Sequence, residues 1–163
     1  MEHHEHHNHN DSHGVMRRQQ YTHVENIAGV RVSDPRGFAL VCDTCGAVDM
    51  TLGELMGYQR RAVTTVLLDL PKVKGAVLRY ARKALGLTQV ALGQCLGARS
   101  ETVSKWEADD EIPRDVQMAM VGLLTAVEHG LASVDILQKN AAKPAEPQPA
   151  ELEVPAHGDC KAA

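Results

Sequence analysis

Between residues 21 and 138 apolar side chains recur at spacings that mark helices and strands; toward both ends the pattern fades. In VLRYARKALGLTQ, residues 77–89, Leu78, Ala81 and Leu85 fall on one helical face, Arg79 and Lys83 lie off it, and Gly86 closes the helix. Thr88 then caps a second helix, TQVALGQCLG, with an apolar stripe of Leu92, Cys95 and Leu96; Gly93 permits close approach and Gly97 ends the helix. In a third segment, Arg99 to Glu107, Val103 and Trp106 point inward at i, i+3 spacing, and Ser100, Glu101, Thr102, Ser104 and Lys105 point outward.

Upstream, Thr51 with Glu54 three residues on is the reciprocal capping signature, so a helix is expected from about Leu52 to Leu68, interrupted by Pro71. Before it, Ile27, Val30 and Val32, then Phe38 to Val41, flank Asp34-Pro35-Arg36-Gly37 as a turn signal, which predicts a short hairpin leading into Cys42. Downstream, Val116 to Val127, VQMAMVGLLTAV, suits both packing on a helical bundle and a dimer surface, and spacing does not separate the two uses.

Composition agrees with helices packed on helices: aromatics are scarce and the core must come from Leu, Val, Ala and Met. The resulting division is a disordered His-rich tail (1–19), a small β module (20–50), a connecting helix (51–71), a helix-turn-helix domain (72–138) and a disordered Pro/Ala-rich tail (139–163). The first fourteen residues, MEHHEHHNHNDSHG, hold six of the nine histidines and read either as a solvated, tag-like tail or as a loose sponge for nickel, copper or zinc.

The net charge of −4 argues against a nonspecific nucleic-acid coat, yet segment 72–107 carries Lys72, Lys74, Arg79, Arg82, Lys83, Arg99 and Lys105 against only Glu101 and Glu107. A polyphosphate can dock on such a local excess. Lys72, Lys74 and Arg79 read as solvated charges rather than defined contacts, and Cys95 as core. No apolar run approaches the roughly 20 residues that span a bilayer, no signal peptide opens the chain, and a cytoplasmic protein is expected. Neither a nucleophile–base–orienter set nor a phosphate-cradling loop is present, so an enzyme is not expected.

The stretch GLTQVALGQCLGARSETVSKWE, from Gly86 to Glu107 and on through Ile112-Pro113, resembles the Xre/Cro-type (lambda-repressor-like) helix-turn-helix family. The resemblance implies a mainly α fold: a five-helix lambda-repressor-like DNA-binding domain preceded by a small β-hairpin or zinc-ribbon-like module and a connecting helix. It implies that Gln89 holds a phosphate of double-stranded DNA, that Ser100, Glu101 and Lys105 face bases, and that Arg99, Thr102 and Ser104 are their neighbours. Arg82 would pair with Glu107, and Trp106 would be structural. The function implied is sequence-specific transcriptional regulation, as a homodimeric repressor on a palindromic operator. Two positions depart from the family: Arg99-Ser100 stands where Ser followed by Arg or Gln is common, and Gly93 stands where Ala is usual.

Cys42-Asp43-Thr44-Cys45-Gly46 has the C-x-x-C-G form of a zinc knuckle, which supplies two of the four ligands a structural zinc needs. With no second such pair, His23, a tail histidine or a second subunit would have to complete it; the alternative is a relic knuckle with two thiols and no metal. A cysteine-containing β module, a connecting helix and an Xre-type domain in that order resemble antitoxins with an N-terminal zinc ribbon, in which two C-x-x-C pairs are usual. That resemblance implies zinc as cofactor and a cognate toxin of a type II pair as partner. The rival expectation is a metal-binding or metal-sensing protein in which the tail and knuckle act and the helices only dimerise.

Overall fold

The computed structural model describes residues 14–141. Three strands, β1 (Met16–Ile27), β2 (Val30–Cys42) and β3 (Val48–Asp49), form an antiparallel sheet in the order β1-β2-β3. Six helices follow: α1 (Leu52–Asp69), α2 (Gly75–Ala84), α3 (Gln89–Leu96), α4 (Ser100–Ala108), α5 (Arg114–Glu128) and α6 (Val134–Ala141).

This corrects the expected fold class. The chain is not a mainly α, five-helix lambda-repressor-like domain with a small β module in front of it; it is α+β, with two strands of 12 and 13 residues built into the same core as the helices. Ile27, fully buried at the end of β1, belongs to one apolar cluster with Val63 and Leu67 of α1, Val77 and Leu78 of α2, Leu92 of α3, Val103 of α4 and Met120 of α5. The strands were hard to see because their inward positions are not all apolar. On β1 the half-buried residues alternate as Tyr21, His23 and Glu25 before Ile27, so the period of two is there but polar groups carry much of it. β1 also reaches back to Met16, into the segment that composition assigned to the tail; the rest of that tail, residues 1–13, and residues 142–163 of the C-terminal tail lie outside the described residues.

The hairpin turns at Ala28-Gly29, not at Asp34–Gly37. Both turn residues have positive φ, 51° and 90°, the pair of signs a two-residue connection between twisted strands requires, and Asn26 Oδ1 accepts from the Gly29 N–H at 3.1 Å. Asp34-Pro35-Arg36-Gly37 lies inside β2. The register passes from Tyr21↔Gly37 to His23↔Asp34, so β2 holds one residue more than β1 there: a bulge, which is where a strand tolerates proline.

Helix α1 begins as expected. Thr51 Oγ1 accepts from the Glu54 N–H at 3.2 Å, and the Glu54 carboxylate accepts from the Thr51 N–H at 2.8 Å. The helix lays Tyr58 on the inner face of the sheet: the buried ring stacks on His23 with centroids 4.9 Å apart, donates to Tyr21 O at 3.3 Å, and lies against Gly37, where a side chain would collide with it. At its other end the buried amide of Gln117, on α5, donates to Leu67 O at 2.6 Å and Leu70 O at 2.9 Å, satisfying carbonyls that the helix terminus leaves over. Within the Val116–Val127 stretch Val116, Gln117, Met120 and Leu124 are buried in the core, while Met118 is exposed. Among the described residues no helix is long and apolar enough to cross a membrane.

Candidate nucleic-acid interface and thiol knuckle

Helix α3 is short because its boundaries are fixed chemically. Thr88 Oγ1 accepts from the Ala91 N–H at 3.0 Å at one end, and Gly97 takes the left-handed conformation (φ 64°) at the other. The chain then doubles back so closely that Ala98 N–H donates to Gly93 O at 2.7 Å, and a Cβ on Gly93 would stand 2.6 Å from Ala98 O. An alanine at this position does not fit the turn as it is built here. Gly93 is a close-approach glycine, and its helix-propensity cost is the condition for bringing α4 this near.

Helix α4 is locked to its neighbours by Glu107. This carboxylate is almost wholly buried and accepts from Arg82 through both oxygens, at 2.5 and 3.2 Å, and from Gln89 Nε2 at 2.9 Å; Arg79 lies 3.5 Å away. Burial pushes the carboxyl pKa up, but the hydrogen bonds from Arg82 and Gln89, with the charges of Arg82 and Arg79, reverse that and hold it below the usual carboxylate range. One side chain thus ties α2, the start of α3 and the end of α4 together. The geometry includes the Arg82–Glu107 pair and adds Gln89 to it, so the Gln89 amide braces α3 against α4 instead of standing free toward solvent.

The remaining expected residues lie on or beside α4. Arg99 is its N-cap residue and makes no side-chain capping bond; Ser100 and Thr102 are half-buried; Glu101, Ser104 and Lys105 are exposed; Val103 is buried and Trp106 half-buried against the core. Glu101, Thr102, Lys105 and Trp106 form one wall of an open groove of about 670 Å³, whose other side is Asp109, Glu111, Ile112 and Pro113. Of the seven cations in 72–107, Lys72 pairs with Glu111 at 2.9 Å, and Arg79 and Arg82 face Glu107. Lys74, Lys83, Arg99 and Lys105 are exposed and make no ion pair among the described residues. Cys95 is half-buried, and burial raises its thiol pKa.

The sheet has an ionic lock of its own that residue spacing does not signal. Asp34, at the bulge, is buried and held by Arg36 at 2.8 Å and Arg61 of α1 at 2.6 Å; Arg61 goes on to Glu128 of α5 at 3.1 Å. Asp and Pro in succession usually signal a turn, which is why the spacing alone places Asp34 in one.

At the end of β2 the knuckle is a tight turn in which Gly46 N–H donates to Cys42 O at 3.1 Å and Cys42 N–H to Ala47 O at 2.9 Å. The buried Cys42 sulfur receives the backbone N–H groups of Cys45 and Thr44 and the Cys45 thiol, which hold its pKa below that of an ordinary thiol. Such N–H donors stabilise a thiolate, the form that binds metal, and Cys45 beside it is exposed. Two thiols on one turn would supply two of the four ligands that a structural zinc takes. Among the described residues no group of three or more potential ligands assembles. His23 does not supply a third: it pairs with Asp34, whereas Cys42 pairs with Met16, seven residues or roughly 23 Å along β1. Its Nε2 is engaged with Glu25 at 2.8 Å. No family model, curated protein or solved structure matches the chain.

Proposed function

We propose that this chain is a sequence-specific DNA-binding regulator that places α4 in the major groove, acting as a homodimer on half-sites roughly 34–36 Å apart. The observation that carries this reading is the α3–turn–α4 unit: two helices of 8 and 9 residues meet across a left-handed glycine, and the second is clamped from behind by Glu107. Its outer positions, Glu101, Ser104 and Lys105, offer a carboxylate, a hydroxyl and an ammonium to solvent on a helix of the size the major groove admits.

The uncapped start of α4 and the exposed cations Arg99, Lys105, Lys83 and Lys74 supply the phosphate-binding character, and the affinity then falls steeply with salt. Gln89 enters through Glu107, as part of the brace that sets the pose of α4. The acids Asp109 and Glu111 at the far end of the groove repel backbone phosphate, so the N-terminal half of α4 is the end directed at DNA.

The test is selection of bound duplexes from a random-sequence pool, followed by titration of the enriched duplex and an unselected one. A single enriched motif is expected, and Lys105→Ala should cost about 1–3 kcal/mol more on the enriched duplex than on the unselected one. Failure to enrich any motif would sink the reading; equal losses on both duplexes would reduce Lys105 to a phosphate contact.

A further inference from the structure

The two cysteines of the C-x-x-C turn are unequal. Cys42, the last residue of β2, is buried, and Cys45 is exposed. The turn between them is closed from both sides, by Gly46 N–H on Cys42 O at 3.1 Å and by Cys42 N–H on Ala47 O at 2.9 Å. Within it the Cys45 thiol donates to the Cys42 sulfur, so the two sulfurs are already in contact. From that contact a disulfide, with its sulfurs roughly 2.0 Å apart, needs side-chain rotation on a turn that is already formed.

Cys42 is also screened from solvent by the chain itself. Gly14 takes the left-handed conformation (φ 59°), and a Cβ there would lie 2.7 Å from Cys42 Sγ and 2.6 Å from both Asp43 Oδ1 and Thr44 Oγ1. Only a glycine lets the backbone come this close to the sulfur. Asp43 holds the screen in place: its Oδ1 accepts from the Val15 N–H at 2.9 Å, and Arg17 Nε reaches its Oδ2 at 3.4 Å. A reagent arriving from solvent therefore meets Cys45 first.

We propose that Cys42 and Cys45 form a reversible dithiol–disulfide site that exchanges with small-molecule disulfides of the glutathione class, with Cys45 as the attacking sulfur and Cys42 as the resolving one. The Cys45 sulfur attacks one sulfur of the small disulfide as its proton passes along the existing hydrogen bond to Cys42, and one small thiolate leaves. That thiolate takes the proton from Cys42, whose sulfur then attacks Cys45 Sγ and expels the second small thiolate. The protein dithiol is oxidised to a disulfide, and the small disulfide is reduced to a thiol and a thiolate. Exchange of this kind is the usual role of a disulfide that forms in a reducing compartment. This inference stands independently of the DNA-binding reading.

The experiment uses the full chain, stripped of metal by a chelator and equilibrated in mixtures of reduced and oxidised glutathione. Free thiols are then trapped by alkylation and located by peptide mass mapping. Cys42 and Cys45 should lose alkylation together and appear as one internal disulfide that dithiothreitol reverses. Half-oxidation should come at a smaller share of oxidised glutathione than for the same chain in urea, because the folded turn holds the sulfurs together. Cys45→Ser, at an exposed position that spares the core, should abolish oxidation of Cys42 over the same range. Cys42→Ala should leave Cys45 as a lasting mixed disulfide with glutathione; should that variant fail to fold, Cys45→Ser and the urea comparison decide the matter. A disulfide to any other cysteine, a mixed disulfide that persists in the parent chain, equal or later half-oxidation in the folded chain than in urea, or two thiols that stay reduced throughout would each overturn the proposal.

Discussion

Each half of the molecule is pinned by a buried carboxylate among arginines, and the two pins differ in how far along the chain they reach. Glu107 gathers Arg82, Arg79 and Gln89, all within 28 residues and all on consecutive helices. Asp34 gathers Arg36 from two residues away, but its second partner, Arg61, is 27 residues on, across the interface between sheet and α1, and Arg61 in turn binds Glu128, a further 67 residues along. The first pin sets the pose of one helix on its neighbours. The second fastens the sheet to a helix pair, and does so at the bulge, where the ladder of β2 is locally broken.

The largest effect is expected from Glu107→Ala. It leaves the half-buried Arg82 with one hydrogen bond, to Leu87 O at 2.8 Å, and strips Gln89 of its acceptor, so stability should fall by about 3–5 kcal/mol, the usual cost of breaking a buried ion pair from one side. Urea unfolding measures this as a lower midpoint at an unchanged m-value. The same variant should lose affinity for the selected duplex at protein concentrations where it remains folded, because α4 is no longer held. Unchanged stability would mean that the clamp is ornamental and the comparison fails at its stronger end.

Asp34→Ala should cost less, about 3 kcal/mol, the low end of the same range, because Arg36 is largely exposed and Arg61 keeps Glu128. Unfolding should remain a single transition, since Ile27 of β1 shares one core with α1, α2 and α5. Two transitions would show that the sheet behaves as a separate module after all. Both carboxylates sharpen the comparison through pH. Burial alone would raise the pKa of each, and the arginine hydrogen bonds more than offset this, so each folded-state pKa lies below its unfolded value. Their stabilisation is therefore fully present above the unfolded carboxyl range near pH 4 and is lost as pH falls through the depressed folded values. Acid should destabilise the parent chain more than either Ala variant, as read from urea midpoints between pH 7 and pH 3.

What the sequence made legible follows the same division. The capping of α1 by Thr51 and Glu54, the closing glycines at 86 and 97, the cap at Thr88 and the Arg82–Glu107 pair all depend on neighbours in sequence or on a known helical arrangement, and all are found where they were expected. The sheet is less legible because what determines its register is not local. Ala28-Gly29 is a weak turn signal and Asp34-Pro35 a strong one, yet pairing Tyr21, His23 and Ile27 with the core face decides the register, and that choice needs α1 to be in place. Gln89 shows the limit on the helical side: its position at the start of α3 was legible, but its partner, Glu107, comes from tertiary packing.

Gly93→Ala tests the turn on which the helical half depends. Alanine gains roughly 1 kcal/mol of helix propensity. Its Cβ, however, meets the Ala98 carbonyl at 2.6 Å, a backbone atom that cannot swing aside, and relieving such overlap costs about 1–3 kcal/mol. A net loss of about 1 kcal/mol is expected, together with weaker binding to the selected duplex than stability alone accounts for, because α4 is displaced at its root. A gain in stability would show that the turn relaxes freely and that Gly93 is an ordinary helix position.

The smallest expected effect separates local signals from tertiary ones most cleanly. Thr88→Ala removes the hydroxyl that accepts from the Ala91 N–H, and nothing else in α3 replaces it: Ala91 occupies the position where Glu54 in α1 supplies the reciprocal bond. The cost should be about 1 kcal/mol, at the size usual for a lost N-cap. Thr88→Ser, which keeps the acceptor, should restore most of it. Since the cap is exposed and its hydroxyl bonds within α3, duplex affinity should follow stability and no further. If Thr88→Ala instead matched Glu107→Ala in its effect on DNA binding, the pose of α4 would be set by the length of α3 and not by the buried carboxylate behind it.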